Sequence, residues 1–133
     1  VPLEQVPDHS ALLDLLVYPR RRNRLTDLTT PLKPLEAMAL GRPVLGADVG
    51  GIRELIGPAG EGAALAAADD AAALTRAIRE LLADPERLRA RAEAGRRWVL
   101  AARTWKVQVE RYREVYARAL RAGLPPGAGG RSP

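Results

Sequence analysis

Residues 30–54 read TPLKPLEAMALGRPVLGADVGGIRE, and their pattern predicts a helix, a strand and a second helix in succession, as in an α/β fold. Thr30 has a hydroxyl that can cap a helix. Pro31 suits the first helical position, where the N–H that proline lacks would have no partner. A helix is therefore predicted over residues 31–40, and it ends at Gly41, a typical residue for a helix C-terminus.

Three short apolar runs, at residues 15–18, 43–47 and 63–67, predict β-strands. Residues 48–51 form a predicted turn, whose two glycines supply either a positive φ or a close approach to a ligand. The alternation of strands with helical segments implies a parallel sheet covered on both faces. A complete doubly wound domain has about six strands. We therefore expect a partial, Rossmann-like α/β fold whose remaining strands lie upstream of Val1.

The C-terminal half has a helical pattern, so a run of helices is expected after the sheet. Asp70 is a predicted N-cap, Asp84 precedes a second helix, and Thr104 precedes a third. Residues 7–14 are predicted as a short helix and residues 20–30 as an irregular loop. Four aromatic residues of the last two helices have helical spacing and are expected in the core: Trp98, Trp105, Tyr112 and Tyr116.

The composition limits the classes of protein that the chain can belong to. The chain has 133 residues, enough for one domain, and it has no cysteine. Disulfides and cysteine-based metal sites are therefore excluded, which fits a reducing cytoplasm. No apolar run approaches the length of a membrane span. The formal net charge of +5 suits phosphate-bearing partners, and it suits an ordinary solvated basic surface equally well.

The candidate site lies where residues 20–30 leave a strand and enter the next helix. In open α/β sheets ligands bind at the carboxyl ends of the strands, and a helix N-terminus favours phosphate because its first N–H groups have no partner. Leu32 and Lys33 can donate backbone N–H groups there, whereas the two neighbouring prolines cannot. The Lys33 ammonium and the hydroxyls of Thr29 and Thr30 add further donors.

Glu36 lies one helical turn beyond this helix tip. Its carboxylate can accept two hydrogen bonds from a vicinal diol, such as the 2′- and 3′-hydroxyls of a ribose. Phosphate at the tip and a diol on the first turn fit a nucleotide. The same residues also fit a plain helix start, in which Glu36 interacts with the helix dipole and Lys33 is solvated. The pattern alone favours this simpler interpretation.

Residues 34–56 carry a family resemblance. They read PLEAMALGRPVLGADVGGIRELI, which resembles the signature E-A-M-A-x-G-x-P-V-x-A-x-x-x-G-G-x-x-E of family 4 (group 1) glycosyltransferases of the GT-B fold. Residues 74–86, LTRAIRELLADPE, are similar to the family's helix after the sheet, and residues 103–116 resemble its closing helix. The resemblance covers residues 1–120 and identifies the chain as part of the C-terminal, nucleotide-sugar-binding domain.

The resemblance implies that a sugar is transferred from a UDP- or GDP-linked donor to an acceptor hydroxyl, with retention at the anomeric carbon. Glu36 matches the second Glu of the family's E-x7-E motif, which holds the ribose diol. The first Glu falls at Leu28, which cannot hydrogen-bond, so the neighbouring carboxylate Asp27 is the candidate replacement toward the sugar hydroxyls. The implied catalytic residues are Asp27, Lys33 and Glu36, and the implied substrate-binding residues are Thr29, Thr30, Leu32, Lys33 and Glu36.

Other parts of the enzyme are expected outside this chain. The family's phosphate-binding Arg and Lys pair and its acceptor-binding N-terminal domain lie upstream. Residues 1–122 are therefore predicted to be a partial domain, inactive alone, and residues 123–133 a flexible Gly/Pro-rich tail. The resemblance implies no cofactor and no metal. Its implied partners are the sugar donor, the N-terminal domain and a lipid or polysaccharide acceptor, in the cytoplasm or at the inner face of the membrane. Residues 22–35 resemble a subgroup associated with exopolysaccharide or exosortase systems.

Two other functions stay open at this point. One is a non-catalytic interaction module that keeps the fold. The other is a basic nucleic-acid-binding domain, suggested by the run RRRNR at residues 20–24. The interleaved aromatic residues of a single-strand binder are missing there, and no helix-turn-helix or zinc pattern occurs. We therefore expect no nucleic-acid partner.

Overall fold

A parallel sheet organises the chain. The computed structural model describes residues 2–57, 60 and 62–122, and within them the strands β1 (Leu16–Tyr18), β2 (Val44–Ala47) and β3 (Ala64–Ala66) lie in the order β1-β2-β3. Leu16 pairs with Val44, and Leu45 pairs with Ala64. All three predicted strands are therefore present. The predicted α/β fold with a parallel sheet is confirmed.

Helices precede, connect and follow the strands of the sheet. After a 3-10 turn at Leu3–Gln5 they are α1 (Val6–Ala11), α2 (Arg24–Leu28), α3 (Leu32–Ala39), α4 (Gly50–Arg53), α5 (Ala71–Leu82), α6 (Pro85–Ala102) and α7 (Trp105–Ala122). Parallel strands need crossover connections, and α3 supplies the one between β1 and β2. The predicted run of C-terminal helices corresponds to α5, α6 and α7. The predicted tail lies outside the described residues.

Helix α2 corrects the prediction that residues 20–30 form an irregular loop. Asn23 caps this helix: its Oδ1 accepts the Thr26 N–H at 3.0 Å, while Thr26 Oγ1 accepts the Asn23 N–H at 3.0 Å. Thr26 is buried, and its hydroxyl donates to the Arg21 carbonyl at 2.7 Å. The reciprocal pair satisfies two helix-end donors. A threonine at the third helical position is a weaker signal than the usual Glu or Gln, so the sequence alone predicts a loop.

Helix α3 begins one residue later than predicted. Pro31 occupies the N-cap position, and no side chain caps the helix. The predicted capping role of Thr30 is therefore wrong, because its hydroxyl donates to Oε2 of Glu54 instead. The predicted C-terminal stop is confirmed: Gly41 follows the helix with a φ of +72°, in the left-handed region that favours glycine.

The core is aliphatic and centres on β2. All four residues of β2 are buried. Met38 from α3, Ile52 from α4 and Leu55 just beyond it are fully buried around this strand, and Val99 of α6 packs into the same cluster. Gly95 lets α6 approach closely, because a Cβ there would lie 3.0 Å from the Gly62 carbonyl oxygen. Each large aliphatic side chain removed from water contributes about 1.5–3 kcal/mol, so a core without Phe can hold the fold.

Acidic side chains cap the first two helices after the sheet; the cap at Asp70 was predicted, and Asp84 was predicted only to precede a helix. Asp70 Oδ1 accepts the Ala73 N–H at 2.8 Å at the start of α5. Asp84 Oδ1 accepts the Arg87 N–H at 3.0 Å at the start of α6. Each cap satisfies one of the N–H groups that a helix leaves unpaired at its start.

Helix α7 has an apolar face that no described residue covers. Trp105, Tyr112 and Tyr116 are 81%, 61% and 66% exposed. The prediction that these three side chains lie in the core is therefore wrong within the described chain. Trp98, on α6, is partly buried, with the Arg103 guanidinium 5.0 Å from its ring centre. Helical spacing identifies which face of a helix is apolar, but it does not identify what covers that face.

Candidate functional site

The segments that follow β1 and β2 meet at one edge of the sheet. Parallel strands end at the same edge, so helix α2, which follows β1, lies near helix α4, which follows β2. These two short helices pack against each other. The chain then runs from α2 through Thr29 and Thr30 into α3. The predicted site residues are therefore carried by a segment that rests on α4.

Two glycines make the contact between α2 and α4 possible. A Cβ on Gly51 would lie 1.9 Å from the Thr29 carbonyl oxygen, and a Cβ on Gly50 would lie 2.4 Å from the Asp27 carbonyl oxygen. Both glycines are helical, and neither has a positive φ. The predicted turn with positive φ is therefore wrong for this pair. The glycines let two main-chain segments of the protein approach each other.

Asp27, the predicted replacement for the missing first Glu, has a partner within the protein. Its Oδ1 accepts the Gly50 N–H at 2.8 Å, and the side chain is partly buried at the α2–α4 contact. An ionised carboxylate has about four acceptor sites on its two oxygens, and the Gly50 N–H uses one of those of Asp27. Leu28, at the position of the family's first Glu, is 74% exposed.

The hydroxyl of Thr30 forms a second link to α4. It donates to Oε2 of Glu54, the C-cap residue that follows α4. The main-chain carbonyl of Glu54 in turn accepts a hydrogen bond from the Arg103 guanidinium, which follows α6. The segment before α3 is thus tied to α4, and α4 is tied to the helices behind the sheet. Glu54 closes the G-G-x-x-E pattern, where the sequence favours a helix-start or loop-fixing role over a ligand contact, and this hydrogen bond agrees with a loop-fixing role.

The start of α3 is open to solvent. Leu32 is 63% exposed, and the side chains of Lys33 and Glu36 are exposed as well, whereas Pro34 between them is buried. Leu32 and Lys33 occupy the first two helical positions, where backbone N–H groups have no partner inside the helix. The predicted substrate-binding residues therefore lie together in one segment and are exposed, except for partly buried Thr30. We call this set of residues the α3 strip: Thr29, Thr30, Leu32, Lys33 and Glu36.

An ion pair that the sequence analysis did not indicate lies beside α4. Arg53 donates to both oxygens of Asp48, at 2.5 and 2.7 Å, and Arg22 donates to the Asp48 carbonyl. The Arg53 hydrogen bond holds the pKa of Asp48 below its usual range, although partial burial opposes this shift. The same contact raises the pKa of Arg53. The pair connects the end of β2 to α4 and to the segment that precedes α2.

A cavity of about 510 Å³ lies at the same edge of the sheet, but away from the α3 strip. Its lining includes Arg20 after β1, Ala47 at the end of β2, and Ala66 at the end of β3, together with Asp69 and Leu74. Asp69 has a φ of +60°, and it accepts the Arg22 N–H at 3.0 Å. The predicted site residues do not line this cavity.

Known proteins resemble the chain over most of its length. Residues 1–84 match the family model described as glycosyl transferases group 1. The chain is 34% identical over 117 residues to the GDP-mannose-dependent alpha-(1-6)-phosphatidylinositol monomannoside mannosyltransferase of Mycolicibacterium smegmatis, covering 86% of this chain and 30% of that protein. It is 35% identical over 126 residues to the 2-deoxystreptamine N-acetyl-D-glucosaminyltransferase of Streptomyces fradiae, covering 92% of this chain and 28% of that protein.

A solved structure supports the same assignment. Sucrose-phosphate synthase from Thermosynechococcus elongatus matches with a TM-score of 0.65 and 28% identity, over 86% of this chain and 27% of that one. The chain thus spans less than a third of the length of the relatives that it matches. Its signature at residues 34–54, its parallel sheet and these similarities agree with one another. The chain belongs to the group 1 glycosyltransferases.

Proposed function

We propose that the α3 strip binds the nucleotide-diphosphate part of a UDP- or GDP-linked sugar donor. We further propose that the protein transfers the sugar to an acceptor hydroxyl with retention at the anomeric carbon. The observation that carries this proposal is the open start of α3, where Lys33 and Glu36 are exposed at the carboxyl edge of a parallel sheet. The names of the relatives support sugar transfer in general, and they differ in the sugar that is transferred.

The start of α3 suits a diphosphate. The aligned peptide dipoles of a helix place about half a positive charge at its N-terminus. Pro31 and Pro34 have no N–H, so Leu32 and Lys33 are the donors on this turn. The Lys33 ammonium adds a full positive charge, which compensates for the reduced number of donors.

Glu36 lies at a suitable distance for the ribose. It follows Leu32 by four residues, which corresponds to about 6 Å along the helix axis. That distance is comparable to the one between the first phosphate and the 2′,3′-diol of a nucleotide. An exposed carboxylate at this position can accept a hydrogen bond from each hydroxyl of the diol.

The proposed reaction needs charge stabilisation. The bond between the anomeric carbon and the diphosphate oxygen breaks, a bond to the acceptor oxygen forms, and the acceptor proton is transferred to the departing diphosphate. Negative charge therefore develops on the diphosphate, and preorganised cationic and N–H donors stabilise it. Lys33 and the α3 N–H groups would supply part of this stabilisation. We expect the remainder from the family's phosphate-binding Arg and Lys pair, so this chain alone is proposed to be inactive.

The proposal also covers the acceptor of the sugar and the location of the enzyme in the cell. The Mycolicibacterium relative is named for a phosphatidylinositol monomannoside substrate, which favours a lipid or a polysaccharide as the acceptor here. Such an acceptor would place the enzyme in the cytoplasm, at or near the inner face of the membrane. In the part of the chain that the structure describes, no helix is long and apolar enough to cross a membrane.

Thermal unfolding of the purified protein with UDP, GDP or ADP tests the nucleotide site. A ligand that binds only the folded state stabilises it by about 2.7 kcal/mol at a hundredfold excess over Kd. We expect UDP or GDP to raise the unfolding midpoint through this stabilisation. Glu36→Ala should raise Kd by about ten- to a hundredfold, because hydrogen bonds to charged groups contribute about 1.5–3 kcal/mol. Glu114→Ala, at an exposed position in α7, is the matched control and should leave the shift unchanged.

Two results would contradict the proposal. A cooperatively folding protein that no nucleotide stabilises would favour the non-catalytic interaction module. A shift produced by duplex DNA that falls steeply with salt would favour nucleic-acid binding, because such binding depends on counterion release.

A further inference from the structure

The α3 strip does not hold its shape alone, because contacts on α4 fix the segment that precedes it. Asp27 Oδ1 accepts the Gly50 N–H at 2.8 Å. Gly50 is the first residue of α4, so this N–H has no partner inside that helix. The carboxylate of one helix therefore satisfies the free N-terminal donor of another. Hydrogen bonds of this charge-assisted kind are short and strong.

The surrounding backbone leaves little freedom for Asp27. The Gly51 Cα faces the Thr29 carbonyl so closely that even a methyl group there would overlap it. Buried Thr26, one residue before Asp27, is held by Asn23 on one side and by the Arg21 carbonyl on the other. Thr26 before Asp27 and the Thr29 main chain after it are thus packed, and the carboxylate reaches α4 from a fixed position in α2.

A second link, from Thr30 to Glu54, acts between the same two segments. It lies two residues before α3 begins at Leu32. With Asp27 and Gly50 at one end and Thr30 and Glu54 at the other, the segment between α2 and α3 is attached to α4 at two points. The position of the first N–H groups of α3 therefore depends on α4.

From these contacts we infer that Asp27 is a positioning residue. It acts through the Gly50 N–H to hold the start of α3 in the geometry that receives the diphosphate, and it does not contact the sugar. This inference rests on the proposed nucleotide site. Asp27, the candidate replacement for the family's missing first Glu, thus has a different role from the expected one. The sugar must then be recognised by other groups.

The two roles predict different binding patterns for Asp27→Ala. A positioning residue supports the diphosphate site, so the variant should weaken binding of the nucleoside diphosphate and of the corresponding nucleotide sugar by the same factor, about tenfold. A residue that contacts the sugar would weaken only the nucleotide sugar. The measured quantity is therefore the ratio of the two Kd values, obtained by isothermal titration of UDP against UDP-glucose and of GDP against GDP-mannose.

Asp27→Asn is the conservative variant. Its amide oxygen can still accept the Gly50 N–H, so we expect binding of both ligands to return to within about threefold of the wild type. An unchanged Kd for the nucleoside diphosphate in Asp27→Ala, together with a weakened Kd for the nucleotide sugar, would overturn the inference.

Amide hydrogen exchange provides a readout that needs no ligand. Asp27→Ala should speed exchange at Gly50 by at least about tenfold, because the amide loses its acceptor, whereas Asp27→Asn should leave it protected. Unchanged exchange in Asp27→Ala would overturn the inference even if the wild type bound no nucleotide. Absence of nucleotide binding in the wild type, with faster exchange in Asp27→Ala, would instead contradict the proposed function and keep the positioning contact.

Discussion

Replacing Gly51 by alanine tests how closely α4 packs on the segment after β1. An alanine Cβ there would lie 1.9 Å from the Thr29 carbonyl oxygen and 2.8 Å from the Thr26 carbonyl oxygen. Real Cβ atoms essentially never come within 3.0 Å of such neighbours. The two segments would therefore have to separate by about 1 Å. Both obstacles are main-chain atoms, so no flexible side chain can move aside to relieve the overlap.

Two opposing terms determine the size of the effect. Alanine is favoured over glycine in a helix by about 1 kcal/mol. Overpacking a well-packed site costs about 1–3 kcal/mol and occasionally more. Because two carbonyl groups obstruct the methyl, we expect an overpacking cost at the upper end of this range, about 3 kcal/mol, and therefore a net fall in the free energy of unfolding of about 2 kcal/mol. For a domain of this size, the unfolding midpoint should fall by roughly 5–10 °C.

Urea unfolding followed by circular dichroism measures this difference, and a constant m-value shows that the surface exposed on unfolding is unchanged. Ala90→Gly, at an exposed position in α6, is the control that calibrates the helix-propensity term in the same protein, with an expected loss of about 1 kcal/mol. A Gly51→Ala variant as stable as the wild type, or more stable, would refute the close contact between α4 and Thr29.

Two further predictions concern single contacts. Asp48→Asn should make the protein less stable at neutral pH: Arg53 holds the pKa of Asp48 below its usual range, so the pair stabilises the fold above the unfolded-state pKa. That advantage should disappear as the pH falls through the lowered pKa, and urea midpoints from pH 7 to pH 2 that keep a constant difference would contradict this reasoning. Asp70→Ala should cost about 1 kcal/mol, because Ala73 N–H loses its cap in α5; Asp70→Ser should recover most of it, and equal losses in both variants would argue against the cap.

Much of the fold could be predicted because its signals are local. The strands are short apolar runs between turn residues, and Gly41, Asp70 and Asp84 end or begin helices for reasons of backbone geometry and hydrogen bonding that act within a few residues. Helix α2 was not predicted, because its N-terminal cap uses the less common pair of Asn23 and Thr26. Local signals therefore work where the residue types are the usual ones.

The sequence predicted which segment carries the candidate site, but it did not predict the contacts that this segment makes. The sequence places Lys33 and Glu36 on the first turns of one helix, since helical spacing is a local property. It does not show that Asp27 faces Gly50 or that Thr30 faces Glu54, because each of these contacts joins residues more than 20 positions apart. The predicted cap at Thr30 was wrong for that reason. The Thr30 hydroxyl bonds to the carboxylate of Glu54, which is distant in sequence, and does not cap α3.

The family, the parallel sheet and the position of the α3 strip can be read from the amino-acid sequence alone, because each depends on the order of residues along the chain. Three-dimensional packing was needed to show that Gly50 and Gly51 admit a neighbouring backbone, that Asp27 bonds to α4, and that the apolar face of α7 is exposed. The burial of a side chain and the identity of its hydrogen-bond partner depend on how the whole chain packs. The type of a residue and its spacing determine which partners it can hydrogen-bond, and the fold determines which of those partners is close enough.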